Sequence, residues 1–425
     1  MSRSHQIATI LFVLTFLIYT IPLTWNALVA PFFHTLPSQD VVPASLLPAS
    51  ILSRGDFYLD QFRRFITNNF PEPYFVNDQT THLVSRYPVM AGVLAVPFTG
   101  AGYGAGWIAQ TIHLYEIAKL SAAFITALSV VAFFFTARAL TERPTSVMIT
   151  LAFAFGSSVW ATASQGLWQH TPSILFQTLA FWFLLRGFTD DVHAIAPAGL
   201  FLAWATIARP PVLIIALIFA GFVVIFFRSA FWQFTLWAIP PAIFASTYNT
   251  IFNGSPFIFG YQEGPEQIFS VPRWEAVQGL WLSSGRGLLI YSPFLLLAPV
   301  GLWQSWKQPH KFFFVFLAIA VVGYTALMAA WGSLGGWAYG ARMLTDILPA
   351  MCLLIIPAAE KLRGAPRAGL WIVIGFAIVL ASLGIWDYGL RFHSDPANSV
   401  WSLENSEPVF YLRLYLVMIQ ETLGW

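Results

Sequence analysis

The sequence predicts an all-α polytopic membrane protein, and three observations predict it. Apolar residues make up 57% of the 425 and charged residues only 9%, where a soluble domain carries roughly a quarter charged residues. Mean hydropathy is +0.68. Apolar runs long enough to cross a bilayer recur along the whole chain. The net charge of +2 and the lack of any basic tract exclude a nucleic-acid binder. The single cysteine, Cys352, lies inside an apolar run. No disulfide or cysteine-based metal site can therefore form within one chain, and Cys352 reads as a small buried hydrophobe.

We expect about eleven spans, near residues 7–30, 112–137, 146–164, 171–187, 193–208, 211–227, 231–250, 286–304, 311–331, 343–359 and 368–386. The first has no small-residue cleavage site and reads as a retained helix rather than a signal peptide. Residues 87–108 are apolar but broken by Pro88, Pro97 and several glycines. Such a segment suits a re-entrant or interfacial element, whose backbone must be covered by protein or water.

Charge in the short connections orients the bundle. With the N-terminus inside, the inner loops collect Arg3, Arg138, Arg143, Arg186, Arg228, Lys307, Lys311, Lys361, Arg363 and Arg367. The outer face then carries two long loops, 31–111 and 251–285, and a tail, 388–425. An even helix count with both ends inside is the alternative. No internal repeat stands out, so residues 1–425 read as a single integral-membrane domain.

The first outer loop opens with "PSQDVVPASLLPASILSRGDFYLDQF", three carboxylates (Asp40, Asp56, Asp60) in a chain poor in charge. Val42, Leu46, Leu47, Ile51 and Leu52 recur at helical spacing, as do Tyr58, Phe62, Phe65 and Ile66. This predicts two amphipathic helices in the membrane interface, with Asp40 at the mouth of the bundle and Asp60 returning close to it. An outer acid beside a lipid-lined cleft can take a proton from an acceptor hydroxyl. Asp40 could equally cap the helix that follows it. Asp56, after Arg54-Gly55, reads as a cap or turn residue.

Together with "VSRYPVMAGVLAVPF", this stretch resembles the first outer loop of GT-C membrane glycosyltransferases, above all bacterial relatives of the protein O-mannosyltransferases and the lipid A aminoarabinose transferases. The phrases "GLWQHTPS", "ARPP", "YNTIFNGSPFIFGY", "SSGRGLLIYSPFLLL" and "WGSLGGWAYGARMLTDILPA" follow in the order found in those relatives. The resemblance implies that Asp40 is the catalytic base, with Asp60 as an accompanying acid. A large soluble C-terminal domain, present in better-known members, is missing from the sequence.

Arg286 in "SGRGLL" and Arg342 in "YGARML" fall at outer helix ends. Arginine near a bilayer is costly unless it meets an anion, and guanidinium matches phosphate oxygens in pairs. Both are candidate ligands of a donor phosphate; pairing with Asp346 or Glu263 is the structural alternative. His170, beside Trp168 and Gln169, is a candidate for sugar or phosphate contact, and Arg209 in "ARPP" a structural anchor. Tyr248, Asn249 and Tyr261 flank the turn signal "NGSP", and with Trp337 and Tyr339 they are candidates for sugar or acceptor binding. Aromatics at an interface also serve as belt residues.

No paired histidine spacing points to zinc, and no Walker, GxGxxG or GxSxG phrase occurs. We expect no metal site and no nucleotide or redox cofactor, while His34 near Asp40 and His82 near Asp78 leave room for a divalent cation. The implied protein is an inverting glycosyltransferase of the cell (inner) membrane with its site on the outer or periplasmic face. Its partners would be a polyprenyl-phosphate-sugar lipid, a glycan, lipid or protein acceptor, and membrane lipids, with room for a larger membrane complex. The alternatives are a GT-C-like structural subunit without activity, and a lipid or sugar transporter. A transporter calls for mid-helix acids, whereas the spans hold few ionisable residues beyond Glu116 and Lys119, which are spaced to pair.

Overall fold

A computed structural model of the chain describes residues 3–29, 38–79, 81–189, 191–258, 260, 270–331, 334, 338–386, 392 and 401–423. The candidates Tyr261 and Trp337, with His34 and Glu263, lie outside them. The protein is an all-α membrane protein with two compact units, residues 1–139 with 163–268 and residues 140–162 with 269–425.

The first unit begins with α1 (Arg3–Val29), followed in the first loop by α2 (Val42–Arg54), α3 (Arg63–Asn69), the hairpin strands β1 (Val76–Gln79) and β2 (His82–Ser85), and α4 (Met90–Gly104). The long α5 (Thr111–Leu140) follows; α6 (Arg143–Phe155) belongs to the second unit. The first unit resumes with α7 (His170–Thr189), α8 (Ala196–Ala208), α9 (Leu213–Phe226) and α10 (Phe231–Asn253). In the second unit come α11 (Trp274–Leu282), α12 (Leu288–Tyr291), α13 (Ala298–Ser305), α14 (Lys311–Trp331), α15 (Leu348–Leu354), α16 (Ile356–Lys361), α17 (Gly364–Ser382) and α18 (Glu407–Leu423).

Among the described residues, five helical stretches are long and apolar enough to cross a membrane: Arg3–Thr24, Thr111–Leu140, Lys311–Trp331, Arg342–Lys361 and Gly364–Ser382. A sixth crossing would come from Pro210–Phe226 and Arg228–Asn253, which meet at a bend of 119°. The expected span 171–187 is one unbroken helix, α7, whereas 146–164 and 193–208 are helical over fewer residues. The segment 286–304 breaks into α12, a 3-10 turn at Pro293–Leu297 and α13, because Pro293 and Pro299 remove backbone donors and suit only first-turn positions. Most of the segment 87–108 forms a regular helix, α4 (Met90–Gly104), with Pro97 inside it.

The first loop departs from a pair of helices lying on an interface. In α2, Val42, Leu46 and Leu47 are fully buried, as the spacing predicts, and so are Ser45 and Ser50. α2 is therefore an interior helix for most of its length. Its serines satisfy themselves locally: Ser45 Oγ donates to the Val41 carbonyl at 2.8 Å and Ser50 Oγ accepts from Gln61 Nε2 at 3.1 Å. One hydrophobic core joins α2 to Leu59, Phe62, Ile66, Phe75 and Leu83, and to Leu114 and Tyr115 at the start of α5.

α8 packs closely on α10 through Gly199, where an added Cβ would lie 1.9 Å from the Phe234 carbonyl oxygen. On α9, Gly221 would meet nothing within 4 Å. Gly199→Ala should therefore force the two helices apart and destabilise the fold by about 1–3 kcal/mol, the usual scale of overpacking. Gly221→Ala should be close to neutral. Thermal unfolding in detergent, followed by tryptophan fluorescence, checks both.

Candidate functional site

Asp40 sits in a 3-10 turn, Gln39–Val41, between the first span and α2. Capping there is done by Ser38, whose Oγ accepts from the Asp40 N–H at 3.3 Å. The N-cap of α2 is Val41, with no side-chain cap bond. Asp40 is thus not a helix cap. Its Oδ1 instead accepts from two phenols, Tyr74 Oη at 2.9 Å and Tyr87 Oη at 2.8 Å. Two strong donors converging on one oxygen fix the orientation of the carboxylate.

Both phenols are delivered by the hairpin segment that follows α3. Tyr74 precedes β1 and Tyr87 follows β2, and the β1–β2 pairing sets their separation through the register Val76↔Ser85 to Gln79↔His82. Ser85 Oγ accepts from the Tyr87 N–H at 3.1 Å and donates to its carbonyl at 2.8 Å, closing the turn toward Pro88. The alternating signal for these strands is only four residues long, too short to stand out in the sequence.

Asp60 does not share this arrangement. Its Oδ2 lies 2.6 Å from His82 Nδ1 and its Oδ1 accepts from the Leu83 N–H at 2.7 Å, with Arg63 at 3.7 Å. Arg63 also holds Asp78 through two bonds, at 2.7 and 3.1 Å, and the His82 ring stacks on Tyr58 at 4.2 Å. Asp60 therefore fastens the hairpin to the turn before α3. Burial pushes its carboxyl up, but the bonds from His82 and the Leu83 N–H, with the charges of His82 and Arg63, outweigh this and hold it below the usual carboxylate range. Asp56 is a turn residue, its Oδ1 accepting from the Tyr58 N–H at 3.0 Å.

Tyr87 links Asp40 to the candidates on α10. It lines a small cavity of about 30 Å³ together with Tyr248, Asn249, Asn253, Ser85 and Gly260. The volume suits a water molecule or two. Tyr248 Oη and Asn253 Oδ1 are buried and have no hydrogen-bond partner among the described residues, an unusual condition for buried polar atoms. Asn249 donates to the Pro256 carbonyl at 3.3 Å and its Oδ1 accepts from Asn253 at 3.2 Å. The turn "NGSP" behaves as read, with Gly254 ending α10 in the left-handed region at φ 78°. His170 is buried at the start of α7. Gln169 beside it accepts from Arg209 at 3.1 Å, the anchoring expected of "ARPP".

In the second unit, Arg286 is 3% exposed and lies 3.6 Å from Glu407, which is fully buried. Glu407 Oε2 also accepts from the Gly340 N–H at 2.6 Å and from Tyr291 Oη at 3.2 Å. Arg286 thus pairs with a glutamate at the start of α18, whose distance along the chain keeps it out of sight in the sequence. Asp346 accepts from Tyr324 Oη at 2.7 Å. Arg342 is half-buried and opens the 3-10 turn Arg342–Ile347. Tyr339 is buried, packs between Tyr291 and Tyr411 at 5.3 and 5.8 Å, and donates to the Leu380 carbonyl at 2.7 Å. An enclosed ring of this kind has a packing role and offers no face for a sugar. The same unit holds an apolar cavity of about 500 Å³, lined by residues including Trp281, Leu289, Leu302, Val321, Val322 and Thr325.

Among the described residues no group of three or more His, Cys, Asp and Glu side chains is placed to hold a metal ion. The sequence matches no known family model and no curated protein.

Because the Asp60 carboxyl is lower in the folded state than in the unfolded chain, its contribution is present above about pH 4 and is lost as pH falls through the folded value. Acidification into that window should loosen the hairpin, seen as faster backbone exchange or proteolysis near residues 76–85. Asp60→Asn should loosen the hairpin at neutral pH and remove most of that acid dependence.

Proposed function

We propose that the protein is a GT-C-type inverting glycosyltransferase that moves a sugar from a polyprenyl phosphate to an acceptor hydroxyl, with Asp40 as the base. The observation that carries this reading is the state of Asp40: a carboxylate at a helix entry that leaves capping to Ser38 and is held by two phenols. An acid serving only the local fold would be spent on the cap. The order of motifs shared with bacterial relatives of the protein O-mannosyltransferases supports the same role.

In the reaction, the acceptor oxygen attacks the anomeric carbon while the bond from that carbon to the phosphate oxygen breaks. The electron pair leaves with the polyprenyl phosphate and the acceptor proton passes to Asp40. Tyr74 and Tyr87 position the carboxylate. The cavity bounded by Tyr87, Tyr248 and Asn249 supplies polar groups for water or an acceptor hydroxyl. Asp60 stabilises the loop that presents Tyr74 and Tyr87. The proposal includes eleven crossings, an N-terminus inside the cell, and a site on the outer or periplasmic face of a cell membrane.

Arg286 already has its charge offset by Glu407, so its role is structural. Arg342 keeps the assignment to the departing phosphate, where a preorganised positive charge stabilises the developing anion. The apolar cavity of the second unit suits a segment of isoprenoid chain by its lining.

Asp40→Asn keeps the volume and removes the proton acceptor. Transfer from a polyprenyl-phosphate sugar should fall about a hundredfold or more, with insertion and thermal stability close to wild type. The donor sugar and acceptor for that assay come from mass spectrometry of lipids and glycans in a deletion strain. Wild-type turnover in the variant would rule out the base.

The two arginines should separate. Arg342→Lys keeps the charge but loses the paired donors, so it should slow transfer without changing stability. Arg286→Ala leaves Glu407 buried without its cation and should destabilise the protein by about 3–5 kcal/mol. Unfolding curves beside transfer rates test the contrast.

A further inference from the structure

Lys119 is the most costly residue in the first unit that the reading above does not use. It lies on α5, a 30-residue helix long and apolar enough to cross the membrane. It is 3% exposed, and among the described residues no hydrogen bond or ion pair reaches it. Glu116, three residues earlier, is half-buried and does not pair with it, contrary to what the spacing suggests. One turn before Lys119 on the same helix face, Tyr115 is 4% exposed and its hydroxyl is buried without a partner. Two donors that share a face thus both lack an acceptor among the described residues. An ammonium withdrawn from water and left uncompensated is strongly disfavoured, and ionisable residues inside spans mark ligand or ion sites.

The level of these donors in the bilayer indicates the ligand. At 1.5 Å per residue α5 is about 45 Å long, against roughly 30 Å of hydrocarbon, so a centred helix overhangs at both ends. Lys119 is eight residues after Thr111, which puts its Cα about 12 Å along the helix, a few Å inside the hydrocarbon. Its side chain leans back toward the N-terminus, as long helical side chains do. That brings the ammonium toward the level of the lipid phosphates, on the side of the membrane where the chain enters α5. Beside it on α5, Ala118 and Ala122 lie in one cluster with Ala91 and Ala95 of α4 and with Ile125 and Leu167.

We infer that Lys119 and Tyr115 form a binding site for a phosphate group, carried by a lipid of that leaflet and drawn in between α4 and α5. The ammonium supplies the charge and the phenol a second hydrogen bond to phosphate oxygen. No covalent step is involved, and the site does not depend on the transferase reading.

The test is binding in a neutral detergent, with dodecyl phosphate, inorganic phosphate and dodecanol as probes and the thermal midpoint as readout. Dodecyl phosphate should raise the midpoint of the wild type, and dodecanol should not. Lys119→Met keeps the length of the chain and removes its charge; it should need about tenfold more dodecyl phosphate or worse for the same shift. Tyr115→Phe should lose about threefold, and Lys119→Arg should retain most of the binding. The Arg and Phe variants keep the test decisive if the Met variant does not fold. A shift of the same size and Lys119 dependence from inorganic phosphate supports the site with free phosphate as its ligand. Equal responses of wild type and Lys119→Met to dodecyl phosphate overturn it, and mean that the lysine is held as a neutral amine. Because no sugar is transferred, the result stands whatever Asp40→Asn does to turnover.

Discussion

A charge taken out of water has to find its counterpart within the protein, and in a chain with 9% charged residues each such case can be followed singly. Three different solutions occur. Asp40 is held by two neutral phenols, which orient a carboxylate while adding no opposing charge. Glu407 is met by a guanidinium, a backbone N–H and a phenol, the full complement a buried carboxylate needs. Lys119 has neither among the described residues. The three differ physically in how much of the cost of leaving water the protein itself offsets.

The Arg286–Glu407 pair shows why an isolated arginine in an apolar sequence is ambiguous. Burial of either charge alone would be prohibitive, so an unpaired reading forces one to look for an external anion. The fold supplies an internal one from α18, and in doing so ties the last helix to the Gly340 turn and to Tyr291. Tyr339, packed between Tyr291 and Tyr411, belongs to the same fastening. Here the chemistry expected of a phosphate site, a guanidinium meeting oxygens at close range, is spent on holding the fold.

In the first loop the hairpin is the decisive element. Two four-residue strands would be marginal on their own. They are held because Asp60 and Arg63 bind them to the turn before α3 and because Leu83 and Phe75 enter the core beneath α2. That anchorage is what brings Tyr74 and Tyr87 back to Asp40. Loss of an ion pair at the hairpin would therefore be felt at a carboxylate it never touches.

The sequence by itself determined the class of the protein, the helices and several local details. Membrane character is a sum over composition. Helix positions follow from apolar runs, and the Asp56 turn and the Gly254 helix end are set by neighbours in the chain. The burial of the Val42, Leu46 and Leu47 face was likewise legible from spacing. Only the tertiary structure decided which polar groups meet. Tyr74 and Tyr87 reach Asp40 from 34 and 47 residues away, and Glu407 reaches Arg286 from the far end of its unit. It also decided that α2 is buried around most of its circumference and that Glu116 and Lys119 do not pair. Such outcomes depend on side-chain direction and on which helices pack together, and neither is written in local periodicity. A hydrophobic pattern specifies the side of a helix that leaves water, whereas the partner of a buried charge is chosen by the whole fold.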